Sequence, residues 1–365
     1  MKKSITLSLC LVLLAGSACM RQDLPQKGRV VLEFSIGQPE TRANITPGVT
    51  GPEDGGAIFV SDGTPDLNIL ISNSSGDIVA RYPDSDPDTG PSSGCEINDA
   101  RTRATVTFSG LDPGEYMVYA VANTSGGVWG APANQAAWDA ISTATALEAL
   151  TLSHGSDPRP SVTDRMPLSA SGPLTVASTG NGEVGLELLR CAARVSVQFE
   201  NVTSGNLVLG DSSDEENNVT IDISSINPTE GRLIPPSSGD DVSGTLGTLA
   251  MSAGSVIIPK GETATLSETS YFVFPSVAPA GTYYCSANFS WTQTTGEIVT
   301  FGSYSHTPSP ENPGLRVHDK KSSDIPALGR NQHITILIRI ANNSKISFNF
   351  IVSNWEVKTE KVAFD

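Results

Sequence analysis

Two places near the start of the chain hold residues arranged for a covalent change. Gly16-Ser17-Ala18 sets small side chains directly ahead of Cys19, whose thiol can carry a lipid. Glu40-Thr41-Arg42-Ala43 comes just after an apolar run, and its Arg42–Ala43 bond, with small or polar neighbours, suits a trypsin-like protease. Both are changes made to the chain, not reactions that it performs.

Cys19 closes a leader. Lys2 and Lys3 supply a positive start and Ile5 to Leu14 an apolar stretch, the layout of a secretory signal. That stretch is about half of the roughly 20 residues that a spanning helix needs. A cysteine directly after small residues is the pattern of a bacterial lipobox, so Cys19 is expected to become the lipidated first residue of a precursor held in the outer membrane. Cys10 leaves with the leader, and Cys95, Cys191 and Cys285 are too few and scattered for a disulfide framework. One bridge is possible and no pairing can be derived. No C-x-x-C spacing is present, which argues against structural zinc.

Other chemical patterns fail on context. Asp84-Ser85-Asp86-Pro87-Asp88-Thr89-Gly90 starts like a calcium loop, but the places for Gly and Glu hold Thr89 and Cys95. It reads as a solvated acidic loop, as do Asp211 to Glu216. Gly90-Pro91-Ser92-Ser93-Gly94 spells G-x-S-x-G without the strand before it and the helix after it that a nucleophile elbow requires. His154, His306, His318 and His333 stand isolated in sequence. Thr282-Tyr283-Tyr284-Cys285 imitates an immunoglobulin F strand without a Cys or Trp partner at the right distance. No catalytic residue, metal or cofactor is expected, and the chain is read as a non-enzyme.

Composition agrees. The formal charge is −16 and no Lys/Arg cluster exists to track phosphates, which argues against nucleic acid as a partner. With 34 Gly, 24 Pro and almost no helix-period segments in 365 residues, the chain is an all-β protein of about two domains.

The elements follow from period-2 alternation. Arg29-Val30-Val31-Leu32-Glu33-Phe34-Ser35-Ile36 sets Val30, Leu32, Phe34 and Ile36 on one face of a strand. Leu67 to Ile71 and Ile78 to Tyr82 flank Asn73-Ser74-Ser75-Gly76 as a hairpin. Arg103 to Phe108, the turn Leu111-Asp112-Pro113-Gly114 and Glu115 to Asn123 come next. Trp138, Ile141, Ala144 and Leu147 predict the one short helix, over 138–150. A second unit is expected to open in the run from Val184 to Phe199. Further strands are expected at 219–223, 255–258, 271–274, 282–289, 298–304 and 333–340, and a terminal one carries Ile346, Phe348, Phe350 and Val352 on one face. The expected division is a signal peptide at 1–18, a lipidated propeptide with a removable strand at 19–42, and β-sandwiches at 43–180 and 181–365, the second with a donor tail.

This order of features resembles the fimbrillins, donor-strand pilins of the lipoprotein-precursor class. The resemblance runs through nearly the whole chain. Beyond the lipobox and the strand before Arg42, it rests on Leu111-Asp112-Pro113-Gly114-Glu115-Tyr116 leading into Val121-Ala122-Asn123-Thr124-Ser125-Gly126, and on Arg165-Met166-Pro167-Leu168-Ser169. Leu189-Arg190-Cys191-Ala192-Ala193-Arg194-Val195, Tyr271-Phe272-Val273-Phe274-Pro275 and Val352-Ser353-Asn354-Trp355-Glu356-Val357 complete it. Cys191 and Ala192 stand where a bulkier apolar residue is expected, and the C-terminal extension is short. The resemblance implies two tandem transthyretin-like β-sandwich domains and assembly by strand exchange with copies of the chain or related pilins.

The physics of the first strand points the same way. Its removal would bare a sheet edge and part of a core, which folded proteins avoid, and another chain's strand can refill the gap by β-augmentation. Burying four such side chains at roughly 1.5–3 kcal/mol each gives about 6–12 kcal/mol. Trp355 and Val357 share one parity and Val362 and Phe364 the other, so the tail has apolar residues to donate across a bend. A stalk subunit of a surface fimbrium is the expectation, against a tip subunit without a donor, an anchor that keeps its lipid and first strand, or a surface lipoprotein that binds glycan or a host protein through its loops. Trp129 and Trp138 are the candidates for the exposed aromatic platform that this last reading needs, although Trp138 fits a helix core better.

Overall fold

The structure, a computed structural model, describes residues 28–36, 58, 60–61, 64–84, 92–99, 101–154, 166–178, 182–210, 218–236, 241, 243–266, 271–306, 309, 311, 314–318, 323–342 and 345–354. Two β-sandwiches follow one another along the chain.

The first begins with β1 (Gly28–Ile36), a two-residue pair β2 (Val60–Ser61) and β3 (Thr64–Pro65), and the hairpin β4 (Leu67–Asn73) and β5 (Ile78–Tyr82). β6 (Ser92–Ile97), β7 (Arg103–Leu111), β8 (Gly114–Ala122), β10 (Leu168–Val176) and β11 (Gly182–Arg190) follow, while a short β9 (Thr151–Leu152) between β8 and β10 joins a sheet of the second sandwich. The sheet order is β5-β4-β8-β10-β11-β1-β7-β6. β10 and β11 pair only at Leu168–Arg190 and Ser169–Leu189, so the sheet bends there into two four-stranded leaves. Ile69, Ile71, Val118 and Leu174 from one leaf meet Leu32, Phe34, Val106 and Phe108 from the other in a single core.

The second contains β12 (Ala193–Val202), β13 (Asn206–Gly210), β14 (Val219–Arg232), β15 (Ser243–Ala253), β16 (Ser255–Ile258), β17 (Thr263–Thr265) and β18 (Tyr271–Val273). It continues with β19 (Ser276–Val277), β20 (Tyr284–Thr295), β21 (Ile298–His306), β22 (Leu315–Arg316), β23 (Ala327–Leu328), β24 (Gln332–Ala341) and β25 (Ile346–Asn354). One sheet runs β17-β12-β24-β25 and the other β15-β14-β20-β13-β16, with β21 on β20. Their inner faces close over Phe199, Ile221, Phe289 and Ile336. Each sandwich places its first strand parallel to a late one, β1 beside β11 and β12 beside β24.

Two expectations are corrected. β11 pairs with β1 and β10, so the chain leaves the first sandwich after Arg190 rather than at 180/181. The apolar run from Val184 to Phe199 hides that passage, because its break, Cys191-Ala192, is itself fully buried. The helix expected over 138–150 is two five-residue helices, Gln135–Asp139 and Ala144–Glu148. Thr143 separates them: its extended backbone starts a new helix, and its hydroxyl accepts from the Ala146 N–H at 3.2 Å, an N-cap arrangement. The apolar stripe survives the break, since Trp138, Ile141 and Leu147 are all buried.

That stripe belongs to a third cluster joining the two sandwiches. Leu70, Tyr119 and Val121 on the outer face of the first meet Leu233, Ile234, Phe272 and Phe274 of the second. Arg330 ties the same junction: its guanidinium donates to Ser169 Oγ at 3.1 Å, to the Leu233 carbonyl at 3.1 Å and to Asp241 Oδ1 at 3.0 Å. The Arg330–Asp241 ion pair is nearly enclosed on the arginine side, the setting in which a bidentate fork is most useful.

Candidate functional site

β1 lies in the interior of its leaf, with β11 on one side and β7 on the other. It runs parallel to β11 from Val30–Gly182 to Ile36–Leu188, and antiparallel to β7 from Gly28–Leu111 to Ser35–Arg103. Val30, Leu32 and Phe34 are fully buried and Ile36 is 2% exposed, whereas Arg29, Glu33 and Ser35 face out. The alternation read from sequence is therefore the one the strand adopts.

Side-chain sizes alternate across the rungs. Val30 sits beside Phe108 and Gly182, and Phe34 beside Ala104 and Leu186. A Cβ on Gly182 would lie 2.9 Å from the Thr175 carbonyl oxygen, 3.1 Å from Leu174 and 3.3 Å from Val30, so glycine is needed there for closeness. The outer rungs set Val31 against Glu183 and Ser35 against Glu187. Ala104 and Gly182 shape the seat of β1, yet nothing in the sequence marks them out before the register is known.

The described residues that flank the segment with the expected cleavage site are anchored to adjacent carbonyls. The Ile36 N–H donates to the Thr102 carbonyl at 2.9 Å, and the Ile58 N–H to the Arg101 carbonyl at 2.8 Å. A backbone cut anywhere between these anchors leaves β1 held by packing and hydrogen bonds alone. β12, its counterpart in the second sandwich, is continuous with described chain at both ends.

Cys19, Arg42, Ala43 and the donor-tail residues Trp355, Val357, Val362 and Phe364 lie outside the described residues. The tail begins directly after β25, a strand paired with β24 through nine rungs from Gln332–Asn354 to Ile340–Ile346 and standing at the edge of its sheet.

The remaining chemical candidates do not assemble. Cys95, Cys191 and Cys285 are free thiols. Trp129 packs edge-on against Phe274, with ring centroids 5.4 Å apart, and Trp138 is 4% exposed, so the pair offers no open aromatic platform. His154 stacks on Phe274, and His333 bonds Ser196 Oγ at 2.9 Å in a sheet ladder. No group of three or more His, Cys, Asp or Glu placed to hold a metal ion occurs among the described residues. No helix among them is long and apolar enough to cross a membrane.

A family match over most of the chain places these tandem sandwiches in the fimbrial and adhesin class, which implies a place at the cell surface. Residues 54–361 match the family described as Fimbrillin-A associated anchor proteins Mfa1 and Mfa2, and the chain belongs to that family. Among solved structures, a candidate cell adhesion protein from Parabacteroides distasonis shares 10% identity at a TM-score of 0.51, covering 89% of this chain and 97% of that one. A second such protein, from Bacteroides eggerthii, reaches 12% identity and a TM-score of 0.47 over 90% and 97% of the two chains. A fimbrial assembly protein from Parabacteroides distasonis stands at 10% and 0.41 over 90% and 96%. At such identities the first likeness speaks to the fold alone. No curated protein matches the chain.

Proposed function

We propose that this chain is a fimbrial stalk subunit, exported as a lipoprotein on Cys19, cut after Arg42, and joined to its neighbours by strand exchange. The observation that carries the reading is the position of β1: interior to its sheet, buried along one whole face, and followed by a segment whose two ends are tied at Arg101 and Thr102. Loss of β1 would strip β7 and β11 of a shared partner and open the core between them. A strand from another subunit, with apolar residues at alternate positions, restores both ladders. Trp355, Val357, Val362 and Phe364 are the residues this chain would donate in turn.

A second reading has its own support, because the matched family is described by its anchor proteins. An anchor keeps its lipid and its first strand and accepts no donor. The two separate on purified protein lacking the leader, treated with an Arg-specific protease and followed by N-terminal sequencing and an unboiled denaturing gel. A new terminus at Ala43 with a heat-labile ladder supports the stalk. Cleavage without a ladder indicates a tip subunit. An uncut monomer sinks the strand-exchange reading and leaves an anchor.

A further inference from the structure

A cleft of about 150 Å³ opens on the leaf opposite β1, between the starts of β3 and β4, the end of β8 and the helix Gln135–Asp139. Three polar side chains at least nine-tenths buried line it: Asp66 at 7%, Asn68 at 8% and Thr124 at 0% exposure. Asp66 is held in place by accepting from the Thr124 N–H at 3.2 Å and the Ser125 N–H at 3.0 Å. The Thr124 hydroxyl has no hydrogen-bond partner among the described residues. Buried polar groups are nearly always satisfied, and leaving one bare costs about 1–3 kcal/mol. Polar groups placed so at a cleft point to a ligand.

We infer that this cleft binds one neutral sugar ring, the terminal residue of a glycan. A carboxylate that only accepts, an amide that donates and accepts, and a hydroxyl that does both match adjacent sugar hydroxyls. Pro65, Pro83 and Pro132, all partly exposed, also line it and offer apolar surface to the C–H face of a ring. Among the described residues no Lys, Arg or His lines the cleft, so Asp66 disfavours an anion. The volume, below the roughly 300–1,000 Å³ of sites for drug-sized ligands, limits the occupant to a single ring. β4 and β8 lie in the leaf that does not contain β1, so the site is complete with the first strand present or removed.

Saturation-transfer NMR on the leaderless full-length chain, with free galactose, mannose, fucose and N-acetylglucosamine as neutral probes and sialic acid as the anionic one, tests this directly. At least one neutral sugar should give transfer. Thr124→Val should weaken it about tenfold, or 1.4 kcal/mol, with an unchanged or higher melting temperature because the hydroxyl it removes has no partner. Thr124→Ser should keep binding. The inference is overturned by silence from every neutral probe, by stronger transfer to sialic acid, by undiminished binding in Thr124→Val, or by a lower melting temperature in that variant.

Discussion

Phe34 and Ala104 face each other across the β1–β7 ladder, a fully buried ring beside the smallest side chain on that face. The rung is matched in size. Ala104→Leu should overpack it, destabilising the protein by about 1–3 kcal/mol. Phe34→Ala should remove about 3–5 kcal/mol. Both should read out as lower urea midpoints at an unchanged slope.

Gly182 and Gly185 make a matched pair on β11. A Cβ at Gly182 meets the Thr175 carbonyl, Leu174 and Val30, while one at Gly185 meets nothing within 4 Å. Gly182→Ala should therefore lower the melting temperature. Gly185→Ala should leave it level or raise it, by about 0.5–1 kcal/mol at most. Equal effects at the two sites would contradict the close packing of β11 on β1.

Arg330 offers a test of the junction. Arg330→Met keeps the stem but strands Asp241 and frees the Arg232 and Leu233 carbonyls. Breaking a buried ion pair from one side costs about 3–5 kcal/mol. Limited proteolysis of the variant should yield cuts near 236–243, absent in the parent chain at the same dose.

The thiols should differ in reactivity. Cys95 is half-buried, whereas Cys191 and Cys285 are fully enclosed. Burial, helped by the Asp222 carboxylate, pushes the Cys285 thiol up to about 12 from an ordinary 9.0. Burial also raises Cys191, against the opposing pull of Arg330. Iodoacetamide at pH 8 should label Cys95 first and the other two only on unfolding. Because folded Cys285 holds its proton where the unfolded thiol has lost it, stability falls as pH rises through 9 to 12, by up to about 1.4 kcal/mol per pH unit. Cys285→Ala should flatten that limb.

His333 gives the acid limb. Burial, with the Arg194 charge, lowers its pKa to about 3 from 6.5. The unfolded chain binds a proton there between those values and the folded chain does not, so stability drops as pH falls from 6.5 toward 3. His333→Gln should shrink the drop, measured as melting temperature against pH.

Much of this fold could be read from alternation alone. β1, the β4–β5 hairpin, β16 and β24 fall where period-2 patterns put them, because half-buried strands write their burial into every second residue. The buried face of β1 was legible for the same reason, down to Val30, Leu32, Phe34 and Ile36. What partners it was not. Ala104 and Gly182 matter through cross-strand register, and sequence carries no local sign of a parallel pairing between residues 30–36 and 182–188. The passage at Cys191-Ala192 escaped notice because a buried crossing between two cores is as apolar as the strands it connects. Asp66, Asn68 and Thr124 come together from β4 and the end of β8, more than fifty residues apart in sequence.

Gripped on both edges, β1 also has a mechanical character. Drawn out along its own length, it would have to shear its rungs to β7 and β11 together, seven on the parallel side and eight on the antiparallel side. β25, on the rim of its sheet, can instead be peeled from β24 one rung at a time. Resistance to a pull is set by the barrier to rupture rather than by equilibrium stability. Tension along the strand axis therefore meets a lock at β1 and a zipper at β25.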